Sequence, residues 1–269
     1  MRHTQVLAED WWVRALDGPE PDVAALSAQV REPGAPWLPA SMPAQVHDVL
    51  LAHGRIPDPR VGKQAAESAW VGERDWAYGR VFVSPAGDGP VFLRFAGLDT
   101  LATVIVNGAE VGSFANMHRH YAVEIRDALN PPDETNTLLV IFASPLRYVA
   151  AASEGKAIPA FHYLRKCRSD FNAYLGARPH AVKVGIFDDV VVDVPDGAWL
   201  EDVHARPELS TDLSHADVRV TVAWSGRPAD LRWVLSNPDG GTVAEGVVAL
   251  ADDGAEASFS VPVEDPALW

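Results

Sequence analysis

The chain has 269 residues, of which 48% are hydrophobic and 22% are charged, so it is long enough for one large or two modest domains with buried cores. No apolar run reaches the roughly 18 residues of a membrane span, and the opening residues MRHTQVLAEDWW lack the apolar block of a secretion signal, so neither a membrane partner nor export is expected. The formal charge of −15, with no cluster of Lys and Arg to override it, excludes nucleic acid as a partner because such a surface repels phosphate backbones.

Helical signal in the sequence is scarce. The segment 43–54, PAQVHDVLLAHG, places apolar residues such as Val46 and Val49 at helical spacing and ends in a glycine. This pattern predicts a short surface helix. The segment 21–30, PDVAALSAQV, is a weaker candidate for a helix.

Short apolar or alternating runs recur along most of the chain, each bounded by turn residues. They are rich in Val, Ile and Phe, which fit a pleated, half-buried surface, and Gly, Pro, Asn and Asp separate them. This spacing predicts an antiparallel sandwich rather than βαβ units. The predicted strands of the first series are 79–85, 90–95, 101–108, 120–125, 136–145 and 188–194.

The stretch 70–82, WVGERDWAYGRVF, has two interpretations. Four side chains alternate onto one face of its strand, namely Trp76, Tyr78, Arg80 and Phe82. The first interpretation makes them core residues, with the arginine paired at the rim of the sandwich. The second places Trp70, Glu73 or Asp75, on the preceding loop, beside a ligand.

The stretch 95–112, FAGLDTLATVIVNGAEVG, predicts a strand that is buried on both faces. Its Asn107-Gly108 pair is a strong signal for a hairpin turn. Asp99 and Thr100 lie between two apolar strands, where short polar side chains can bond the amides of their own turn. A structural role is therefore expected for this pair.

The stretch 161–190, FHYLRKCRSDFNAYLGARPHAVKVGIFDDV, interrupts the strand pattern for about 25 residues and is polar, aromatic and irregular. Long loops of this kind often carry function. Positive charge is concentrated here in an otherwise acidic chain, at Arg165, Lys166, Arg168 and Arg178. Ligand binding and packing against another domain are equally compatible with this pattern.

The sequence predicts no metal and no cofactor. Cys167 is the single cysteine, which excludes an internal disulfide and fits a reducing compartment, so we expect a cytoplasmic protein. Its basic neighbours favour the thiolate, but no base or oxyanion site can be named for a nucleophile. His118 and His120 lie on one side of a strand without a third ligand, so a solvated pair is expected.

The strand pattern pauses at residues 195–197, Pro-Asp-Gly, and we place a domain boundary near residue 197. The strand-like runs that follow are 199–209, 217–226, 229–238, 241–250 and 255–263. An immunoglobulin-like sandwich usually needs about seven strands, so this second block predicts an incomplete one. Because an unfinished sandwich exposes an unpaired edge and an open core, we expect the polypeptide to continue beyond Trp269.

The quoted motifs, in this order, resemble the amino-terminal part of glycoside hydrolase family 2 and most of all its β-mannosidase branch. The matching stretches are 70–82 (W-V-G-E-x-D-W-x-Y-x-R-x-F), 95–108 (F-x-G-L-D-T-x-A-x-V-x-x-N-G), Asn116-Met117 followed by Tyr121, and the entry segment 43–59. The likeness covers roughly residues 10–200.

The resemblance implies an all-β fold: a jelly-roll, galactose-binding-like sandwich over 1–197 and an incomplete immunoglobulin-like sandwich over 198–269. A catalytic (β/α)8 barrel would follow outside this chain. Retaining hydrolysis needs two carboxylates about 5 Å apart, and the family's acid/base glutamate follows an asparagine. No Asn-Glu dipeptide occurs here, so no catalytic residue is assigned and hydrolysis by this chain alone is not expected.

One departure from the β-mannosidase pattern lies in the polar loop. The family's Trp-Asp-Trp is replaced by Ala173, Tyr174 and Leu175, and Phe187 stands where a later tryptophan is expected. In the family this Trp-Asp pair helps to hold the terminal sugar. Its loss removes a charge-assisted acceptor for hydroxyls and a stacking surface, which implies a different glycoside or a degenerate paralogue.

The predicted function is thus the non-catalytic amino-terminal portion of a retaining exo-β-glycosidase, which walls the sugar pocket and docks on the absent barrel of the same polypeptide. Its ligand is a carbohydrate, a β-glycoside. The residues expected nearest the sugar are Tyr174 and Arg178, followed by Trp70, Asp75 and Asn116. The alternatives are a stand-alone carbohydrate-binding or interaction module without hydrolase activity, and a docking unit that binds no sugar and exposes a large apolar patch.

Overall fold

The computed structural model describes residues 3–18, 20–156, 162–171, 181–226, 230–250 and 256–268, without the side chains of Ser169 and Phe171. The chain divides into two compact units, of which the first ends at Val194 and the second begins at Pro195. Within the described ranges, none of the helices combines the length and the apolar character of a membrane span.

The first unit is built from short antiparallel strands. In chain order they are β1 (His3–Val6), β2 (Trp11–Ala15), β3 (Leu38–Ala40), β4 (Ala44–Gln45), β5 (Trp76–Val83), β6 (Phe92–Phe95), β7 (Leu98–Asp99), β8 (Ala102–Val106), β9 (Ala109–Phe114), β10 (Tyr121–Glu124), β11 (Thr135–Phe142), β12 (Gly185–Ile186) and β13 (Val190–Val194). They form a sheet of order β1-β13-β6-β10, a sheet of order β3-β2-β5-β11-β8-β9 and a small sheet of order β4-β12-β7. The predicted β-sandwich is confirmed.

The core lies between the two larger sheets and is rich in aromatic side chains. Buried indoles need a partner for their N–H, and here Trp11 donates to the Leu7 carbonyl at 2.6 Å and Trp76 to the Val71 carbonyl at 2.9 Å. The expectation that Arg80 is paired at the rim is wrong. Its guanidinium lies over the Trp11 ring, 5.6 Å from the centroid, and its Nε donates to the Val81 carbonyl.

Three α-helices accompany the sheets: α1 (Val23–Arg31), α2 (Val46–Ala52) and α3 (Pro145–Ser153). Helix α2 lies within the predicted segment 43–54, and α1 extends one residue beyond the predicted segment 21–30. Short 3-10 helices cover Gln64–Glu73, Arg126–Ala128 and Arg168–Phe171. Helix α1 packs on the outer face of β5, where Gly79 makes room for it: a Cβ on Gly79 would lie 2.3 Å from Cγ2 of Val30.

Two segments are helical where the sequence predicted a strand end or a loop. The strand predicted over 136–145 ends at Phe142, because the Ser144 hydroxyl accepts from the Arg147 amide at 3.1 Å and caps α3. Proline at the first helical position also favours this start. The residues before β5, predicted as a loop, form the 3-10 helix Gln64–Glu73.

In its described residues the second unit has five strands, each of which overlaps one of the runs predicted from the sequence. They are β14 (Trp199–Leu209), β15 (His215–Ser225), β16 (Leu231–Ser236), β17 (Thr242–Val248) and β18 (Glu256–Glu264). A sheet of order β14-β15-β18 is accompanied by the β16-β17 hairpin. The ring of Trp233 in β16 stacks on that of Phe259 in β18, with centroids 5.3 Å apart.

One face of the three-stranded sheet is apolar. Val203 and Leu209 of β14 pair with Val222 and Ala216 of β15, and Val261 of β18 is buried on the same sheet. The side chains of β14 are nevertheless exposed, with 54% of Val203 and 44% of Leu209 accessible. The hairpin therefore covers the side of β18, and the apolar surface of β14 remains open within the described residues.

Candidate functional site

Four charged side chains form a chain of ion pairs that links the polar segment 161–190 to β7. Lys166 contacts Asp99 through Nζ and lies 2.8 Å from Oδ2 of Asp170. Lys183 Nζ lies 3.3 Å from Oδ1 of the same Asp170. The first three side chains are almost fully buried, whereas Lys183 is 40% exposed. Because buried charges are tolerated only when they are paired, these residues must come together for the segment to fold.

The partners of Asp99 differ from those expected from the sequence. Its Oδ2 accepts from Gln45 Nε2 at 3.1 Å, and its Oδ1 accepts from the Thr100 hydroxyl and from Lys166. The sequence predicted bonds to the amides of its own turn. Lys166 lies 67 residues later in the chain, and local sequence reasoning misses such a partner.

Asp170 joins the two ends of segment 171–182 through its bonds to Lys183. It accepts from the Lys183 backbone N–H at 3.2 Å and also pairs with the Lys183 ammonium. Burial lowers the pKa of Lys183, but the Asp170 carboxylate more than offsets this effect, so the pKa is raised. Tyr174 and Arg178, the first two predicted sugar contacts, lie outside the described residues, between these two anchored ends.

The loop of Asn116 contacts the polar segment. The Met117 amide donates to the Arg165 carbonyl at 3.0 Å, and the Cys167 amide donates to the Met117 sulfur at 3.1 Å. Asn116 shapes its own loop, because its Oδ1 accepts from the His118 amide at 2.9 Å and its carbonyl accepts from the Tyr121 hydroxyl at 2.6 Å. The structure thus brings Asn116 beside the ion-paired segment.

The 3-10 helix Gln64–Glu73, which carries Trp70, also borders the polar segment. A Cβ on Gly72 of this helix would lie 2.7 Å from Cβ of Val182. The Trp70 ring is 37% exposed and lies 5.8 Å from the Trp76 ring, at an interplanar angle of 36°. An exposed indole supported from behind by a second one suits stacking against the apolar face of a sugar.

Asp75 is placed differently from the other candidates. It is 4% exposed, accepts from the Ser144 amide at 2.6 Å and lies 2.5 Å from Nη2 of Arg147. These contacts join the start of β5 to the first turn of α3. Its described contacts are therefore with the protein itself.

The described residues contain no group of three His, Cys, Asp or Glu side chains that is arranged to hold a metal ion. His118 and His120 are exposed. Phe187, which stands where the β-mannosidase pattern has a tryptophan, donates from its amide to the Gly97 carbonyl at 3.1 Å. The Phe187 ring lies so close to Gly97 that a Cβ added to Gly97 would be 2.6 Å from Cε2 of that ring.

His47, at the start of α2, gives the first unit a testable pH dependence. The side chain is 7% exposed, and burial lowers its pKa below 6.5, with Asp48 and Asp170 opposing this effect. The unfolded chain therefore binds a proton below about pH 6.5, while the native state resists it, so stability is full above that pH and falls as the pH decreases.

We expect the His47→Gln variant to lose part of this slope, which for one proton reaches at most about 1.4 kcal/mol per pH unit. Urea unfolding of the first unit between about pH 7.5 and 5.5 measures it. The same change at the exposed His118 is the matched control. Identical slopes for wild type and His47→Gln would contradict the prediction.

The match to known families covers most of the first unit. Residues 11–188 match the family described as the glycosyl hydrolase 2 galactose-binding domain-like family. This range contains the ion-paired residues and every sugar contact predicted from the sequence.

Relatives with similar sequences are much longer than this chain. Beta-mannosidase B of Thermothelomyces thermophilus is 30% identical over 255 residues, which cover 90% of this chain and 29% of that protein. Beta-mannosidase B of Aspergillus terreus is 30% identical over 249 residues, covering 87% and 28%. The chain thus spans less than a third of the length of these relatives.

Solved structures show the same fold. The beta-D-mannosidase of Dictyoglomus thermophilum aligns with a TM-score of 0.77 at 22% identity, over 99% of this chain and 32% of that one. The exo-chitosanase of Amycolatopsis orientalis aligns with a TM-score of 0.62 at 18% identity, over 99% and 30%. At such identities the likeness supports the architecture and leaves the substrate to be argued from the residues.

Proposed function

This chain belongs to the glycosyl hydrolase 2 galactose-binding domain-like family, and from that premise we propose that it is the non-catalytic amino-terminal portion of a retaining β-glycosidase of the β-mannosidase type. The observation that carries the proposal is the alignment of nearly the whole chain with less than a third of each β-mannosidase relative. The paired carboxylates of retaining hydrolysis then belong to a (β/α)8 barrel in polypeptide outside this sequence.

The first unit would form one wall of the sugar pocket. Trp70 supports this role because its indole is exposed and backed by a second ring, and Asn116 supports it because its loop lies against the polar segment. Tyr174 and Arg178 complete the proposed sugar contacts. We assign Asp75 an indirect part, which it plays by holding α3 against the start of β5.

The second unit would be an immunoglobulin-like sandwich that also contacts the barrel. Its support is the open apolar surface of β14, where Val203 and Leu209 are about half exposed. Large exposed apolar surfaces usually mark an interface. We further propose a cytoplasmic location, supported by the presence of a single cysteine, Cys167, which rules out an internal disulfide.

The proposal is tested by comparing this chain with the longer polypeptide read from its own coding sequence. We expect the 269 residues alone to leave p-nitrophenyl β-D-mannoside and the corresponding β-glucoside and β-glucosaminide intact. The longer polypeptide should hydrolyse at least one of them, with the mannoside disfavoured because the Trp-Asp-Trp sequence is absent. Turnover by the 269-residue chain, or a stop codon after Trp269, would contradict the proposal.

The alternative of a stand-alone carbohydrate-binding module predicts another result. Titration of the chain alone with methyl β-D-mannoside and methyl β-D-glucoside would then give tight binding, whereas a single pocket wall should bind either sugar weakly, because most of the sugar stays in water. Isothermal calorimetry distinguishes the two results.

A further inference from the structure

Lys166 is the most deeply buried cation of the described first unit, and it lies in a segment without regular strand structure. Its ammonium contacts two carboxylates, those of Asp99 and Asp170. A buried ion pair is weak support for stability, because an apolar replacement of similar volume is often as good. Fixing one conformation is a better-supported use of such pairs, and the surroundings of Lys166 indicate what is being fixed.

The main chain on either side of Lys166 holds the loop of Asn116. The Arg165 carbonyl accepts from the Met117 amide at 3.0 Å, and the Cys167 amide donates to the Met117 sulfur at 3.1 Å. The side chain of Lys166 is buried, while the main-chain groups of its two neighbours bond to Met117. Movement of Lys166 would therefore displace the loop of Asn116.

The Lys166 ammonium also holds Asp170, the residue that precedes segment 171–182. Asp170 receives Lys166 Nζ on Oδ2 and Lys183 Nζ on Oδ1, and it also accepts from the Lys183 amide. On the other side, Asp99 belongs to β7, which pairs with β12 in the small sheet. The chain of charges thus joins both ends of segment 171–182 to a fixed strand.

We propose that Lys166 is a positioning residue, whose buried ammonium fixes the loop of Asn116 and both ends of segment 171–182 relative to β7 without contacting the sugar. The inference rests on the proposed function, since those elements carry the proposed sugar contacts. Lys166 then affects the affinity for the sugar by keeping the loop of Asn116 and segment 171–182 in place.

Hydrogen exchange at three amides tests the positioning directly. The amides of Met117, Cys167 and Lys183 donate to the bonds described above, and the amides of β5 and β11 serve as an internal reference. In Lys166→Met we expect the three amides to exchange about 100-fold faster, because two buried carboxylates each lose the ammonium they share, while the reference amides change little. Lys166→Arg keeps the charge and should restore most of the protection.

Val30→Ala is the matched control, because it creates a cavity under α1, on the outer face of β5. It should lower the melting temperature without selective loss at the three amides. Unchanged exchange in Lys166→Met, or equal loosening in Val30→Ala, would overturn the inference. If Lys166→Met does not fold, Lys183→Met replaces it. Of the three amides, only that of residue 183 should then exchange faster. Unchanged exchange at this amide would contradict the proposed role of the Asp170 ion pairs.

The longer polypeptide supplies a readout that stability alone would not move. There we expect Lys166→Met to raise KM for the preferred p-nitrophenyl β-glycoside about tenfold with a smaller change in kcat, as expected when binding geometry is loosened. A longer polypeptide without any activity would defeat the proposed function and leave the exchange experiment to decide on Lys166. An active polypeptide whose KM is unchanged by the substitution would defeat the positioning role alone.

Discussion

Replacing Gly185 by Ala is expected to destabilise the first unit by about 3–5 kcal/mol, because conformational strain and overpacking act together at this position. The backbone of Gly185 has a φ of +133°, which side chains rarely adopt. A Cβ there would lie 2.2 Å from the Tyr78 hydroxyl oxygen and 3.1 Å from Cα of Gln45. Gly185 is also the middle link of the small sheet, paired with Gln45 on one side and with Asp99 on the other.

Urea unfolding of the first unit measures this effect, and Gly87→Ala is its matched control. Gly87 has a φ of +89° with nothing within 4 Å of an added Cβ, so its substitution isolates backbone strain, about 1–3 kcal/mol. Adding Tyr78→Phe to Gly185→Ala should recover part of the loss, because it removes the nearest clashing atom. Equal losses for Gly185→Ala and Gly87→Ala would refute the packing argument.

The second large effect is expected at Asp75, where Asp75→Ala should cost about 3 kcal/mol because the Ser144 amide and the Arg147 guanidinium both lose a buried acceptor. Asp75→Asn should cost less, since its Oδ1 still accepts from the Ser144 amide. Arg147 is about half exposed, so water takes over part of its pairing. Thermal unfolding of both variants provides the comparison.

This experiment also separates the structural role of Asp75 from the sugar contact predicted from the sequence. Asp58→Asn breaks an exposed pair with Arg60 and serves as a control that should leave unfolding almost unchanged. If Asp75→Asn left stability unchanged but abolished sugar binding or turnover in the longer polypeptide, direct contact would be the better explanation.

The strands were predictable because each carries its own signal. Alternation and turn residues located β5, β8 and β11, and Asn107-Gly108 fixed the β8–β9 hairpin, where both residues have positive φ. Helix α3 had a usable signal in Ser144-Pro145, a capping residue before a proline, but the preceding apolar run concealed it. The 3-10 helix Gln64–Glu73 was missed because its apolar residues do not gather on one face of the helix.

The chain of charges was less accessible to sequence reasoning. Lys166 and Asp99 were both singled out, but for different reasons, and their contact joins residues far apart in the chain. Arg80 was expected to be paired at the rim of the sandwich and instead lies over Trp11, since β2 brings an indole beside it. In both cases the tertiary fold supplies the partner, and no local spacing encodes it.

The anchored base formed by Asp170 and Lys183 has an evolutionary consequence. The buried Asp170 carboxylate pairs with two cations, Lys166 and Lys183. A substitution that removes the Lys183 ammonium therefore leaves the carboxylate with Lys166, so drift at position 183 carries less thermodynamic risk than drift at Asp170. Tolerance of this kind allows the partly exposed cation to vary while the buried pair of Lys166 and Asp170 is kept.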